Sequence, residues 1–234
     1  MAILSMSRKK FLSLAKSWRN ITHAMSLLIC LAAMPSVANA GSYEDFFQAV
    51  KVDDASAIAS LIARGFDPNT VDEQGNVGLL IAVQENSMRA FAVLLKAPDI
   101  NPDLPSSQGD TALMIAAYKA NKPAVIALLD KGAAVNKQGW TPLHYAAASG
   151  DNEIVKMLMD KSAQLDALSP NGTTPMMMAA RNGHILTIKL LLDAGADASL
   201  KNQRGMTAID FASAGGYKDI VEGLTYRLKK AGKL

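Results

Sequence analysis

The sequence predicts an all-α solenoid of about six helix-turn-helix repeats joined by short hairpin-like fingers, and three observations carry that expectation. Glycine returns at Gly75, Gly109, Gly139, Gly172 and Gly205, with spacings of 34, 30, 33 and 33 residues. After each glycine the same chemistry follows: Gly139-Trp140-Thr141-Pro142-Leu143-His144-Tyr145-Ala146-Ala147 is matched by Gly172-Thr173-Thr174-Pro175-Met176-Met177-Met178-Ala179-Ala180 and by Gly109-Asp110-Thr111-Ala112-Leu113-Met114-Ile115-Ala116-Ala117. Gly205-Met206-Thr207-Ala208-Ile209-Asp210-Phe211-Ala212 follows suit, and Gly75 to Ala82 is a weaker copy. A second apolar block also recurs, as Val93-Leu94-Leu95, Ala127-Leu128-Leu129, Met157-Leu158-Met159 and Leu190-Leu191-Leu192. Self-similarity at this period marks stacked units, none of which buries its apolar face alone.

The elements follow in order. Residues 1–40 hold Arg8, Lys9, Lys10, Lys16 and Arg19 without an acid, then the apolar run Ala24 to Met34, then Pro35 and Ala38-Asn39-Ala40. Basic flank, apolar core and small-residue site, in that order, predict a secretory leader cleaved after Ala40. The apolar run would make a helix of about 16 Å, roughly half the hydrocarbon thickness, so no permanent membrane span is expected once the leader is removed. General secretion fits better than a twin-arginine route, since Arg8 is followed by Lys9, and a soluble periplasmic protein is expected. In residues 41–234 a Thr-Pro pair, at Thr141-Pro142 and Thr174-Pro175, places an N-cap hydroxyl before a proline at the first helical turn. Two alanines keep one side of that first helix thin. Gly150 and Gly183 stop the first helices in a left-handed conformation. Second helices follow, with Ile154, Val155 and Leu158, or Ile185, Ile188 and Leu191, on one face. Gly132 to Asn136 and Gly195-Ala196-Asp197 then turn the chain outward into a finger. The segment 42–74 reads as a degenerate first repeat, with Ala57 to Ile62 in its second helix and Gly65-Phe66-Asp67-Pro68-Asn69 as its turn. The helix from Lys218 closes the array with Arg227, Lys229, Lys230 and Lys233, cations placed where the helix dipole favours them.

On these motifs the chain resembles an ankyrin-repeat protein, whose unit runs Gly-x-Thr-Pro-Leu-His-x-Ala-Ala, then Gly-His, then Val-x-x-Leu-Leu-x-x-Gly-Ala-Asp-Val-Asn. Residues 139–166 and 172–200 match nearly throughout, 205–226 well, 109–136 moderately and 75–101 weakly. Two departures stand out. The finger between Asn136 and Gly139 is about three residues short, and that between Asn101 and Gly109 is about two residues long, with Pro102 and Pro105 in it.

Charge and chemistry narrow the function. The chain carries 24 basic and 21 acidic residues; with the five cations of the leader set aside, 19 basic residues face 21 acids. That net of −2 leaves no cationic surplus to lay along a phosphate backbone, so nucleic acid is not the expected partner. Cys30, the single cysteine, belongs to the leader, which removes disulfides, thiolate zinc sites and cysteine nucleophiles from the rest. His144 and His184 stand where the ankyrin repeat carries structural histidines. No phosphate loop, nucleophile elbow or His-Glu-x-x-His is present. The Asp67, Asp99, Asp166 and Asp197 turns recur once per repeat, as turn chemistry. Met176-Met177-Met178 diverge in the repeat frame into core, histidine and inner-surface positions. No enzyme activity, cofactor or metal is expected.

Surface recognition remains. The resemblance implies a concave docking face made by the fingers and the exposed side of the first helices. Directly after the repeat glycines come Asn76, Asp110, Trp140, Thr173 and Met206; after the double alanines come Tyr118-Lys119, Ala148-Ser149 and Arg181-Asn182. The residues expected to touch a partner are Asp110, Tyr118, Lys119, Trp140, Tyr145, Arg181, Asn182 and Met206. Trp140 and Tyr118 are large aromatics that the core does not need, and such residues often dominate interface energetics. The resemblance thus implies a monomeric, non-enzymatic binder of another protein. It implies as the alternative an accessory factor supporting a periplasmic haem catalase or other oxidative-stress defence.

Overall fold

In the computed structural model the described residues are 37–233, with side chains from residue 41. The bulk of the leader therefore lies outside the described residues. The chain divides at Asp45 into two units, and the solenoid is the second, from Phe46 onward.

Twelve helices are described: α1 (Val37–Lys51), α2 (Ala55–Ala63), α3 (Gly78–Gln84), α4 (Met88–Lys96), α5 (Ala112–Tyr118), α6 (Lys122–Asp130), α7 (Pro142–Ser149), α8 (Asn152–Asp160), α9 (Pro175–Arg181), α10 (Ile185–Asp193), α11 (Ala208–Ala214) and α12 (Lys218–Lys230). From α3 onward they fall into pairs that begin just after the repeat glycines. The helix α1 runs through Ala40, the expected cleavage point.

The first helices form an inner row, in which α5, α7, α9 and α11 each pack closely on the next. The physical cause is the alanine pairs: Ala116, Ala117, Ala146, Ala147, Ala179 and Ala180 are fully buried between neighbouring helices and let the backbones approach. The outer row of second helices is looser. Among them α2 meets α4 and α8 meets α10, while α4 and α6, α6 and α8, and α10 and α12 approach much less. A row that is tighter inside than outside curves, with the first helices on the hollow side. The core lies between the rows, where Leu113, Leu143 and Met176 of the first helices face Leu128, Leu158 and Leu191 of the second, all essentially without exposure.

Four of the inner helices, α5, α7, α9 and α11, are started by a threonine whose backbone N–H is taken by the side chain three residues on, whereas α3 starts at Val77 without a side-chain cap. Met114 Sδ accepts it at 3.4 Å, His144 Nδ1 at 3.1 Å, Met177 Sδ at 3.4 Å and Asp210 Oδ2 at 2.7 Å. The hydroxyls of Thr111, Thr174 and Thr207 cap the backbone as expected, accepting from Met114, Met177 and Asp210. Thr141 differs. Its hydroxyl lies 2.9 Å from His144 Nδ1, which already accepts the Thr141 N–H, so it donates to the ring and does not cap.

The fingers are tight turns. At residues 72–76, 106–110, 169–173 and 202–206 the first residue's N–H reaches the carbonyl four residues on, and the repeat glycine's N–H returns to the first residue's carbonyl. Among the described residues one finger adds a β-bridge, Val71 to Val77. The shortened finger at Lys137-Gln138 lacks this pair of bonds and is pinned instead by the Lys137 ammonium, which donates to the Gly109 carbonyl at 2.6 Å.

Successive repeats are also stitched by Asn and Asp side chains. Asn69 Oδ1 accepts the Asn101 N–H while its amide donates to the Asp99 carbonyl, both at 2.9 Å. Asn136 does the same to Gln164 and Ser162 at 2.8 Å. Asp103 and Asp166 accept the N–H groups of Ala134 and Asp197. Asp166, expected as chemistry of its own turn, thus serves the next repeat; Asp67 and Asp197 do hold their own turns, through Asn69 and Ser199.

Candidate functional site

On the hollow side, the ends of α5, α7 and α9 and the finger before α7 bring three aromatic rings together. The Trp140 and Tyr145 rings meet edge to face with centroids 6.4 Å apart at 82°, and Tyr145 meets Tyr118 at 6.2 Å and 83°. A cavity of about 300 Å³ opens between them, completed by Met178, Arg181 and the edge of His144. Tyr118 is 56% exposed. Trp140 and Tyr145 are half-buried. Trp140 also stacks edge-on against His144, at 5.2 Å, so it is held upright on the helix start.

Tyr145 is fixed by a second contact. Its hydroxyl donates to Asp110 Oδ1 from the preceding repeat. Burial, then the bonded carboxylate, raise the phenol well above its ordinary range, so it stays a neutral donor. The bond also engages the Asp110 carboxylate, which does not line the cavity.

On the other side of Trp140 lies a second hollow of about 490 Å³, among the fingers of the last repeats, which Trp140, Met178 and Arg181 share with Arg204, Met206 and Phe211. The two hollows have three walls in common. Among the described residues no acid lines either one, and neither Arg181 nor Arg204 makes an ion pair.

The structure therefore gathers Tyr118, Trp140, Tyr145 and Arg181 around one cavity and sets Met206 in the next. Asp110 supports it from behind. Lys119 is exposed and lines neither hollow. Asn182 is committed elsewhere, its amide donating to the Ala148 carbonyl at 2.7 Å. Thr173, placed on the concave face by its position after the repeat glycine, is buried at 2% exposure, and its carbonyl accepts from His144 Nε2 at 2.9 Å. Burial holds His144 below its ordinary pKa, and both ring nitrogens are bonded, which makes it structural. His184 Nε2 likewise donates to the Ala148 carbonyl at 3.0 Å. Among the walls that position alone did not give are Arg204 and Phe211, which come from the next repeat, and the edge of His144, which was read as structural.

The family model "Ankyrin repeats (3 copies)" matches residues 46–135, 79–169 and 162–231. The human transient receptor potential cation channel subfamily A member 1 is 34% identical over 114 residues, which are 47% of this chain and 10% of that protein. The chain thus spans a small part of that relative's length. Two solved bacterial structures align at a TM-score of 0.67. One is a chain from the complex of a predatory endopeptidase with an immunity protein from Bdellovibrio bacteriovorus, 26% identical, covering 78% of this chain and 97% of that one. The other is an ankyrin repeat domain from Acinetobacter baumannii, 24% identical, covering 77% and 96%, which shares the fold.

Proposed function

Because the chain belongs to the ankyrin-repeat family, we propose that it is a non-enzymatic module, exported to the periplasm, that binds another protein through the paired hollows around Trp140. One observation carries this reading. Trp140 stands half-buried as the shared wall of both hollows, at a position where the fold requires no aromatic side chain. A large, rigid, partly covered indole beside unpaired guanidiniums has the make-up of a binding hot spot. The Bdellovibrio neighbour comes from a complex of two proteins, which agrees with such use of the fold. The periplasmic part of the proposal rests on the leader composition of residues 1–40. Among the described residues no helix is long and apolar enough to cross a membrane.

The test is capture from periplasmic extract with the exported chain and with its Trp140→Ala variant. Intact mass first fixes the bait, which should correspond to residues 41–234. A partner retained by the parent and weakened by about 2 kcal/mol or more in the variant, with thermal unfolding unchanged, is the expected result. Capture indifferent to Trp140, or a product that keeps its apolar leader, overturns the docking site or the location respectively. Identification of the captured protein as a haem catalase, with catalase activity and haem content falling when the gene is removed, would select the oxidative-stress role.

A further inference from the structure

The two hollows differ in what they offer a partner. We propose that they select an extended acidic segment of the partner: one bulky apolar side chain seats among Tyr118, Trp140 and Tyr145, and neighbouring carboxylates pair with Arg181 and Arg204. The inference rests on the concave docking site and adds its ligand class.

Three near-perpendicular rings make an apolar receptacle. Such a receptacle could also hold a cation against its ring faces. Here the rim decides against that. The carboxylate that could balance a cation, Asp110, is bonded to the Tyr145 hydroxyl and does not line the cavity, whereas Arg181 does. A cation entering would meet a guanidinium and no acid. An apolar side chain suffers neither cost.

The second hollow asks for anions. Four cations of the solenoid are in ion pairs, Arg89 with Asp53, Lys122 with Asp151 and Glu153, Arg227 with Asp193 and Lys233 with Asp197; Arg181 and Arg204 are in none of these and differ from the scattered surface lysines in sharing one hollow. Arg181 and Arg204, from neighbouring repeats, face one hollow that no acid lines. Two unpaired guanidiniums over a partly apolar floor of Trp140, Met178 and Phe211 suit carboxylates, which accept a guanidinium's paired donors side by side. Packed helices lie about 8 to 10 Å apart, and an extended chain rises about 3.3 Å per residue, so subsites one repeat apart are reached by residues about three apart in a strand. A polynucleotide would need a longer cationic track than two arginines on a chain whose residues 41–234 carry a net charge of −2.

The probe is a set of dye-labelled peptides that carry Leu-Glu-Glu-Asp within Gly-Ser flanks, with serine for the leucine, with amides for the acids, or with lysines for the acids. Labelled single-stranded RNA is measured beside them. Anisotropy should show the parent peptide binding about tenfold or more tighter than its serine and amide versions, with the charge-dependent part shrinking as salt is raised. In the double variant Arg181→Glu, Arg204→Glu, both sites being exposed, the preference should swap to the lysine peptide. Equal binding of the amide version, a preference that survives the reversal, tighter binding of RNA, or no peptide binding at all overturns the proposal. The two readings fail separately. If native-partner capture still depends on Trp140 while peptides show no charge preference, the docking site stands and the acidic class falls. If peptides follow the arginines but capture ignores Trp140, the groove chemistry stands and the docking role falls.

Discussion

Four side chains of three kinds do one job at the starts of inner helices, and their chemistry sets what each is worth. A sulfur accepts an N–H weakly, so Met177 satisfies Thr174 less well than His144 satisfies Thr141. A histidine at 177 would also find a second partner: the Met206 carbonyl stands where the Thr173 carbonyl does, each accepting the N–H of the residue four before it. Met177→His should therefore stabilise the chain by about 1 kcal/mol, read as a raised midpoint in urea. His144 adds a pH dependence. Its folded-state pKa lies below the ordinary 6.5 because burial disfavours the cation, and protonation would turn Nδ1 from acceptor to donor against the Thr141 N–H. Above 6.5 the ring is neutral both folded and unfolded, and the contribution is intact. As the pH falls through 6.5 the unfolded chain takes up the proton first, so stability drops until the folded-state pKa is passed. The melting temperature should fall between about pH 7 and pH 5, and His144→Gln should flatten that stretch of the profile relative to the parent. Position in the repeat was enough to bring Trp140, Tyr118 and Arg181 to one face. It did not show that Thr173 is buried or that the Asn182 amide is bonded to the Ala148 carbonyl, because a repeat frame shows which way a residue faces and not which carbonyl, a repeat away, claims its hydrogen bonds.

At the scale of elements, the helix pairs, their glycine stops and the closing helix were all legible, since capping residues and alanine pairs act within a few residues of where they stand. The fingers were legible only as turns. Their closing bonds and cross-repeat stitches depend on residues some thirty positions apart, and on whether Asn or Asp occupies the shared site. Gly150 and Gly109 make a paired test of the glycine logic. Both hold positive φ, 77° and 85°. A Cβ at Gly109 meets nothing within 4 Å, whereas one at Gly150 overlaps the His184 ring that bonds the Ala148 carbonyl. Gly109→Ala should cost about 1 kcal/mol for the backbone strain alone. Gly150→Ala should cost clearly more and should shift the His184 ring signals in NMR. Equal costs would show that the His184 ring moves aside freely.

For the whole molecule, the close stacking of α5 to α11 predicts where order persists longest. Each repeat leans on its neighbours, so residues 139–200, flanked on both sides, should exchange amide protons most slowly, and residues 46–95 should exchange faster. Exchange by mass spectrometry that ranks them the other way would contradict the nearest-neighbour picture. The unequal rows have a mechanical consequence as well. With the inner helix backbones held closer together than several of the outer ones, the array should flex like a leaf spring bound along one edge. Bending should disturb the inner hinge line least and draw mainly on the outer contacts, among them Lys122 with Asp151 and Glu153. The two hollows at Trp140 lie along that hinge line, so their spacing should hold steady while the distant ends of the array swing.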